Sequence, residues 1–465
     1  MTKIIFYDDL PHSFEIHTSI VLLRNLQLHR MLRNLFLLFC CISVVNTNAQ
    51  QVLTIDSAIQ IGLKDNYDIL IARQQDAINR NNVFAGNAGM LPNVSLNGSP
   101  VSDGWYNTKY KYSNSESSLT ESGVNETDVD AYAELNWTLF DGFKMFATYN
   151  QLKVIRDQSA DNLKNQIQTT ISGIISAYYN VWYQKQLTRL QQTSDSINMD
   201  NLTKAKQQFA IGENSKLNYL QALVNFNASH SAFLTQQIAL TNAKDSLNRL
   251  LTRPINTYFD VNDALPGTGI LPLDSIKQKV FSENPSLLSA DKESTIALFG
   301  EKEVQGGYYP KISLIGEYGY SNSTTGAGLV LNDRAYGPSI GVAATWTIYN
   351  GSVLTHQLQN SKIDVLISDL QYDNIKTLLD EQTETAYNNY ENNLQLQRLE
   401  MDNEASTKEY LDLSLQQYKV GQISGLDFNT AEQNYINEQM RLFADEFNTQ
   451  LSRFALIELT GELVR

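Results

Sequence analysis

The strongest constraint on this chain is that most of its sequence is written twice. Leu53-Thr-Ile-Asp56-Ser57 returns as Leu271-Pro-Leu-Asp274-Ser275, and Leu91-Pro92-Asn-Val-Ser95-Leu96 as Tyr309-Pro310-Lys-Ile-Ser313-Leu314. Trp137-Thr-Leu-Phe-Asp141-Gly142 matches Trp346-Thr-Ile-Tyr-Asn350-Gly351, and Phe209-Ala-Ile-Gly212 matches Tyr418-Lys-Val-Gly421. The spacing between partners shortens once, between Ser313 and Trp346. A duplicated unit must solve the same folding problem twice, so any fold proposed for one half must serve the other. The organisation expected is an N-terminal extension with a signal peptide over 1–49, a first structural repeat over 50–252, a linker over 253–270, and a second repeat over 271–465.

Within each half the order reads helix, strand, strand, long helix, helix. From Phe143 to Ile211 there is no Pro and one Gly, Gly173; from Ser352 to Val420 there is neither. Uninterrupted stretches of about 70 residues make helices on the order of 100 Å long. Globular helices average three or four turns, and isolated long helices need partners. A seam is available: Ile436, Met440, Phe443, Phe447, Leu451 and Phe454 step by threes and fours, as coiled-coil packing requires. Ordinary bundle packing shares that pattern; helix length favours the coiled coil.

The strands carry a period of two. Ala131, Ala133, Leu135, Trp137 and Leu139 alternate with Tyr132, Glu134, Asn136 and Thr138, and Ile340, Val342, Ala344, Trp346 and Ile348 repeat the alternation. A soluble sandwich turns such an apolar face inward. A membrane barrel turns it to lipid and its polar face to a wet lumen. Three features select the barrel. The chain carries an export signal, Trp137 and Trp346 sit near strand ends where an aromatic girdle would lie, and the inter-strand segments 102–128 and 321–333 are polar, as exposed barrel loops are.

The export signal is the run from Met31 to Ala49. Arg33 precedes about a dozen apolar residues, too short to span a bilayer, and Thr47-Asn48-Ala49 ends it with small residues where a signal peptidase reads. Residues 1–30 then precede a more natural start at Met31. A lipoprotein signal is the rival because Cys40 and Cys41 are present, but Phe39 stands where a small residue is wanted. Removing 1–49 takes both Cys and leaves only His230 and His356 of the 5 His. Zinc sites, thiol nucleophiles and disulfide frameworks are thereby excluded, and no metal or cofactor is expected. The formal charge of -15 argues against nucleic acid as a partner. A carboxylate hydrolase survives on residue types alone, with no acidic pair to recommend it, so no enzymatic activity is expected.

Two strands per half give four per chain, too few to close a barrel. In lipid an open sheet edge leaves backbone groups unpaired, so several copies must close it together. Two copies would supply eight strands and three would supply twelve.

Paired halves, this element order and an exported acidic chain closely resemble the TolC-like outer-membrane efflux proteins. The motifs carrying the likeness are the helix breaks at Asn66 and Asn284-Pro285, the strand entries at Leu91-Pro92 and Tyr309-Pro310, the exit Leu139-Phe140-Asp141-Gly142, and the turn Val420-Gly421-Gln-Ile-Ser424-Gly-Leu426-Asp427. They span residues 51–461. The resemblance implies a mainly α chain with a membrane β-barrel portion, a homotrimer whose four strands per chain build a 12-stranded barrel in outer-membrane lipid, and a periplasmic helical tunnel. It also implies docking onto a periplasmic adaptor (membrane fusion) protein and an inner-membrane pump. The function expected is the passive exit duct of a tripartite efflux or type I secretion system. A periplasmic or surface coiled-coil structural protein is the alternative, and it predicts a rod extractable without detergent.

Gly212 and Gly421 stand where a helix C-terminus needs a left-handed residue, and Ser215 and Ser424 read as N-caps of the returning helices, with Asp427 at the third helical position. In the family these turns form the periplasmic tip, so Gly212, Ser215, Leu217, Asn218, Gly421, Ser424, Leu426 and Asp427 are candidates for adaptor docking. Asp427 matches an acidic constriction position and is the tunnel-constriction candidate. The sequence departs from the family at Asn218 and Thr430, which weakens an acidic ring. Trp137 and Trp346 are the membrane-interface aromatics. His230 and His356 read as solvated, Asn93-Val-Ser95 as a chance glycosylation triplet, and Asp380, Glu381, Glu384 and Glu391 as a solvated or tunnel-lining face.

Overall fold

The structure is a computed structural model that describes residues 52–99, 102–111, 117–267, 269, 272–328 and 330–464. The expected signal peptide over 1–49 and the repeated Leu271 lie outside these residues. Two compact units are distinguished. Of the described residues the first holds only Val52, Leu53 and Tyr258 to Asp260, that is, strand β1 (Val52–Leu53) and the first residue of β5 (Asp260–Val261). All else belongs to the second unit, described from here on.

Each repeat opens with two helices broken by an asparagine. In the first, α1 (Ile55–Asp65) and α2 (Tyr67–Asn82) meet at Asn66, whose extended backbone (φ -65, ψ 129) ends one helix and begins the next. Its side-chain oxygen accepts from the Asp68 and Ile69 amides at 2.9 and 3.4 Å, and its Nδ2 donates to the Leu250 carbonyl at 2.9 Å. In the second, α5 (Leu273–Glu283) and α6 (Pro285–Gly306) meet at Asn284, which caps Ser286 and Leu287 and donates to the Leu459 carbonyl at 3.0 Å. One amide thus satisfies orphan groups at a helix start and at the end of the repeat's last helix. Pro285 follows at the first helical position, where a missing N–H costs nothing.

The long helices are α3 (Lys144–Ala210) and α7 (Val353–Lys419), each 67 residues, or about 100 Å at 1.5 Å per residue. Their starts are sharp. Gly142 and Phe143 are consecutive left-handed residues (φ 72 and 67), and Gly351 and Ser352 repeat the pair (φ 69 and 66). These two turns are strand-to-helix junctions, as their sequence context indicates, with the Asp141 carboxylate accepting the Met145 amide at 3.0 Å. The returning helices are α4 (Lys216–Leu250) and α8 (Gly425–Leu459), followed by a 3-10 turn, Glu462–Val464.

The expected α8 seam is occupied by α3. Trp182 meets Phe443 edge-on at 6.3 Å, Tyr183 stacks on Phe447 at 5.3 Å, and Tyr179 packs on Phe454 at 5.7 Å. Ile171, Ile174, Ile175, Tyr179 and Val181 of α3 are buried as well. Residues 261–263 are strapped across α3: Lys185 Nζ reaches the Val261 carbonyl and the Asp263 carboxylate, both at 2.8 Å, and Trp182 Nε1 donates to the Asp263 carbonyl at 3.0 Å. A second core gathers Ile276, Val280, Leu287, Leu379, Tyr390 and Leu456 from α5, α6, α7 and α8.

The sheet runs in the order β2 (Asn93–Gly98), β4 (Ser118–Phe140), β6 (Lys311–Thr325), β7 (Asn332–Thr345), antiparallel throughout. β3 (Ser102–Lys111) also pairs with β4, farther along the same edge, so β2 and β3 share one lane. This corrects the reading of segments 102–128 and 321–333 as loops. Ser102 pairs with Asp128 and Lys111 with Ser118, while the β6–β7 ladder continues to Thr324 opposite Asn332. A strand wet on both faces shows no apolar alternation, so its polar residues look like loop until a ladder partner is known.

The helices follow the strands. α3 packs against α2 on one side and α6 on the other, and α6 packs against α7, giving the order α2–α3–α6–α7. Asn79 bonds Ser159 (2.9 Å), Gln158 bonds Glu293 (2.7 Å) and Ser294 bonds Asp369 (2.5 Å) along these contacts. The outer strands are open at their edges, as are the outer helices. Val94, Leu96, Ile71 and Ile78 are exposed at one end of the series, and Ile340, Val342, Ile363, Leu366 and Leu370 at the other.

Candidate functional site

Where each long helix turns back, the two repeats build the same device. At the first turn the Gly212 amide donates to the Phe209 carbonyl (3.1 Å) and the Glu213 amide to Gln208 (2.8 Å), with Gly212 left-handed at φ 79. At the second, Gly421 donates to Tyr418 (3.1 Å) and Gln422 to Gln417 (2.9 Å), with φ 75. This paired closure uses up the last helical carbonyls. Ser215 then caps α4 by accepting the Asn218 amide at 3.2 Å. Ser424 caps α8 by accepting the Asp427 amide at 3.2 Å, and the Asp427 carboxylate accepts from the Ser424 amide (3.2 Å) and hydroxyl (2.7 Å), a full capping box.

All the turn candidates are therefore gathered at the ends of two helix pairs. Leu217 and Leu426 are exposed at matched positions, flanked by exposed Ile211 and Val420, so each turn presents a small apolar knob to solvent. Two aromatic stacks that sequence reasoning passed over hold the turns shut: Phe209 on Tyr219 at 5.8 Å, and Tyr418 on Phe428 at 5.1 Å. Their signal was present, since the aromatics occupy equivalent positions of the two repeats. Asn214 was also missed; its Oδ1 accepts the Ser215 amide at 2.9 Å and the Asn218 side chain at 2.5 Å.

One turn beyond Asp427, the chain buries an acid. Glu432 accepts from Ser194 Oγ (2.8 Å) and Asn198 Nδ2 (2.9 Å) of α3, and burial pushes its carboxyl up despite those bonds. Glu438, buried next along α8, faces Glu400 of α7, and Arg441 holds both, with Nε 3.3 Å from Glu400. Burial and the facing carboxylate push the Glu438 carboxyl up, while its hydrogen bond with Glu438 holds Glu400 down. Farther up, Glu446 lines a cleft of about 460 Å³ with Trp182, Arg189, Asp263 and Phe443. Burial, helped by Glu404, pushes it up to about 7. No sequence pattern distinguishes these acids from their solvated neighbours.

Trp137 and Trp346 occupy matched places, their indoles donating to the Met90 carbonyl (2.8 Å) and the Tyr308 carbonyl (3.1 Å). Each ties a strand exit to the segment before a strand entry while leaving its ring exposed. His230 is exposed, in keeping with its reading as solvated, with Nδ1 3.3 Å from Asp195 and its ring stacked on Phe226. Asp380 and Glu384 are bridged by Lys277, at 3.0 and 2.5 Å, which makes them a helix-to-helix clamp. Among the described residues no His, Cys, Asp and Glu group could hold a metal ion, and no helix is long and apolar enough to cross a membrane.

The strands expose apolar side chains, the long helices are paired, and capped turns stand at their ends. The comparisons set these features in a known fold. The chain is 23% identical over 343 residues, 71% of each chain, to the outer membrane efflux protein BepC of Brucella suis biovar 1 (strain 1330). Its fold is similar to that of the Campylobacter jejuni CmeC outer membrane channel (TM-score 0.74, 15% identity, covering 88% of this chain and 85% of that one). It is similar as well to the outer membrane protein VceC of Vibrio cholerae (TM-score 0.70, 14% identity, 88% and 96% covered). The profile of the outer membrane efflux proteins matches residues 58–253 and 277–462, one stretch in each repeat. The chain belongs to the outer membrane efflux protein family, whose members are outer-membrane exit ducts with a periplasmic helical tunnel.

Proposed function

We propose that three copies close into a 12-stranded barrel set on a helical tunnel, and that the paired turns dock a periplasmic adaptor which links the duct to an inner-membrane pump. The carrying observation is the agreement of two open series. Strands end at β2 and β7, helices end at α2 and α7, and both ends expose apolar side chains. β2 and β7 run in opposite senses, so a neighbour's β2 laid beside β7 continues the antiparallel alternation. β7 alone has 14 residues, half of whose backbone groups point outward. Left unpaired in lipid they would cost on the order of tens of kcal/mol. Ring closure by head-to-tail copies removes both edges together. A soluble coiled-coil rod would instead leave the exposed apolar strands in water.

Transport through such a duct is passive, the energy coming from the pump, whether the system performs efflux or type I secretion. Trp137 and Trp346 would sit at the membrane interface, where an amphipathic ring is favoured. Asp427 would set a cation-favouring constriction at the tip. The test of assembly is membrane fractionation with detergent extraction, then mass determination before and after heating. A detergent-dependent trimer is expected; a soluble monomer would overturn the proposal. For the constriction, Asp427→Asn keeps an acceptor for Ser424 and removes the charge. Cation preference in planar bilayers should fall, and unchanged selectivity would remove Asp427 from the role.

A further inference from the structure

The ladder register sorts the sheet into two faces, because partners in a ladder share a side and residues two apart repeat it. One face holds the row Trp137, Leu314, Val342, and the other the row Glu134, Glu317, Ser339. Followed along β7, the apolar face continues through Ile340 and Tyr336 to Arg334. Across β2, β6, β7 and the part of β4 from Thr127 to Phe140, Arg334 is the only Asp, Glu, Lys or Arg on that face. A charge so isolated needs a reason.

Its height supplies one. Twelve positions separate Arg334 from Trp346, about 40 Å along a strand and about 30 Å along the normal at a tilt of ~40°. Tyr336, opposite Tyr320, falls at about 25 Å, the height of a barrel's apolar band, whose edges are marked by aromatic girdles. Arg334 therefore stands one step beyond the second girdle, at the level of lipid headgroups. The helices leave the sheet from the other end, so this is the external edge. Arg334 Nε meets Asn322 Oδ1, its ladder partner, at 3.4 Å, and among the described residues no carboxylate pairs with the guanidinium. Both terminal nitrogens of the fork thus remain for an acceptor from outside the chain. Beside it on the same face, Asn332 Nδ2 donates to Thr324 Oγ1 at 3.1 Å, which extends the polar rim.

We infer that Arg334, held by Asn322 above the Tyr320–Tyr336 pair, binds the phosphate of a phosphorylated lipid in the external leaflet, one on each copy of the chain. The inference rests on the assembly proposed above, which turns this face to lipid. A guanidinium takes a phosphate through two parallel N–H bonds, and it does so best where water is scarce. The lipid's acyl chains would lie along Ile340 and Val342, contacts that a free phosphate ion cannot use. The rival acceptor is an acid of the next copy. Asp103 of β3, opposite Thr127, belongs to the strand lane that a neighbour would lay beside β7.

The test uses the detergent-extracted, delipidated trimer, incubated with diphosphoryl lipid A or with the same lipid freed of phosphate. Native mass spectrometry counts the lipids retained. Wild type should hold the phosphorylated lipid, up to one per chain, and the phosphate-free lipid several-fold more weakly. Arg334→Gln should lower retention of the phosphorylated lipid several-fold while remaining a trimer by mass, and Arg334→Lys, which keeps the charge without the fork, should lose less. Equal retention of the two lipids by wild type, or unchanged retention by Arg334→Gln, would overturn the site. So would equal losses of heat survival in lipid-free Arg334→Gln and Asp103→Asn trimers, since the next copy's acid would then be what Arg334 holds. Failure of wild type and variants alike to form a trimer would instead overturn the proposed assembly.

Discussion

Replacing Glu446 by Gln should make the assembly less sensitive to pH. Glu446 lies against Trp182 and Phe443 in its cleft, and burial raises its pKa from 4.5 to about 7. The folded chain therefore holds a proton on this group, between those two values, that the unfolded chain has released. Stability is fully present below the unfolded pKa and is lost as pH rises through the folded one. Each unit is worth about 1.4 kcal/mol, so the shift corresponds to about 3 kcal/mol per chain, and solvent screening at the open cleft trims it to about 1–3 kcal/mol. Gln keeps the shape and removes the charge. The assay is survival of the detergent-extracted trimer on graded heating, followed by helical circular dichroism, at pH 5 and pH 8. Glu446→Gln should raise the midpoint at pH 8, leave it nearly unchanged at pH 5, and so narrow the gap between them. A residual slope from Glu432, Glu438 and Glu458, all pushed up by burial, should remain. A gap as wide as wild type, or a lower midpoint at pH 8, would refute the reasoning, because it would mean that a cation meets Glu446 in the assembly.

Two further substitutions separate positions that the repeat makes look equivalent. A Cβ at Gly142 would lie 2.2 Å from the Gly306 carbonyl oxygen, whereas at Gly351 nothing lies within 4 Å. Gly351→Ala should cost only about 1 kcal/mol of left-handed strain, while Gly142→Ala should abolish trimer recovery; equal yields would refute the distinction. Ser424→Ala removes a full capping box and should destabilise the second turn by about 1 kcal/mol, read as faster amide exchange at its first helical amides. Ser215→Ala, which removes a single cap bond, should have the smaller effect.

Local chemistry is what the sequence shows best. Gly212, Gly421, Ser215 and Ser424 were readable because a left-handed residue and an N-cap answer needs of the same few residues. The helix lengths were readable because Pro and Gly are missing over a long run. What escaped depends on partners far away in the chain. β3 is a strand because β4 lies beside it, and Glu432 is buried because Ser194 and Asn198 arrive from α3. The Lys185–Asp263 strap looks like two ordinary surface charges until α3 is set against it. The order of helices was equally hidden, since it is decided by which faces meet, and each amphipathic helix has more than one face to offer. The adaptor-docking and constriction roles rest on placement at the turns, and Asp427→Asn tests the second of them.

The paired asparagines also govern when this chain can fold. Asn66 needs the Leu250 carbonyl and Asn284 needs that of Leu459, partners separated by 184 and 175 positions. A polypeptide emerging from a translocase N-terminus first cannot complete either latch until nearly a whole repeat has crossed. Closing so long a loop is entropically slow, and until it closes the amphipathic helices remain exposed. Each latch therefore closes late, and the seam of α3 on α8 later still, because Phe443, Phe447 and Phe454 are supplied only when the last helix has followed.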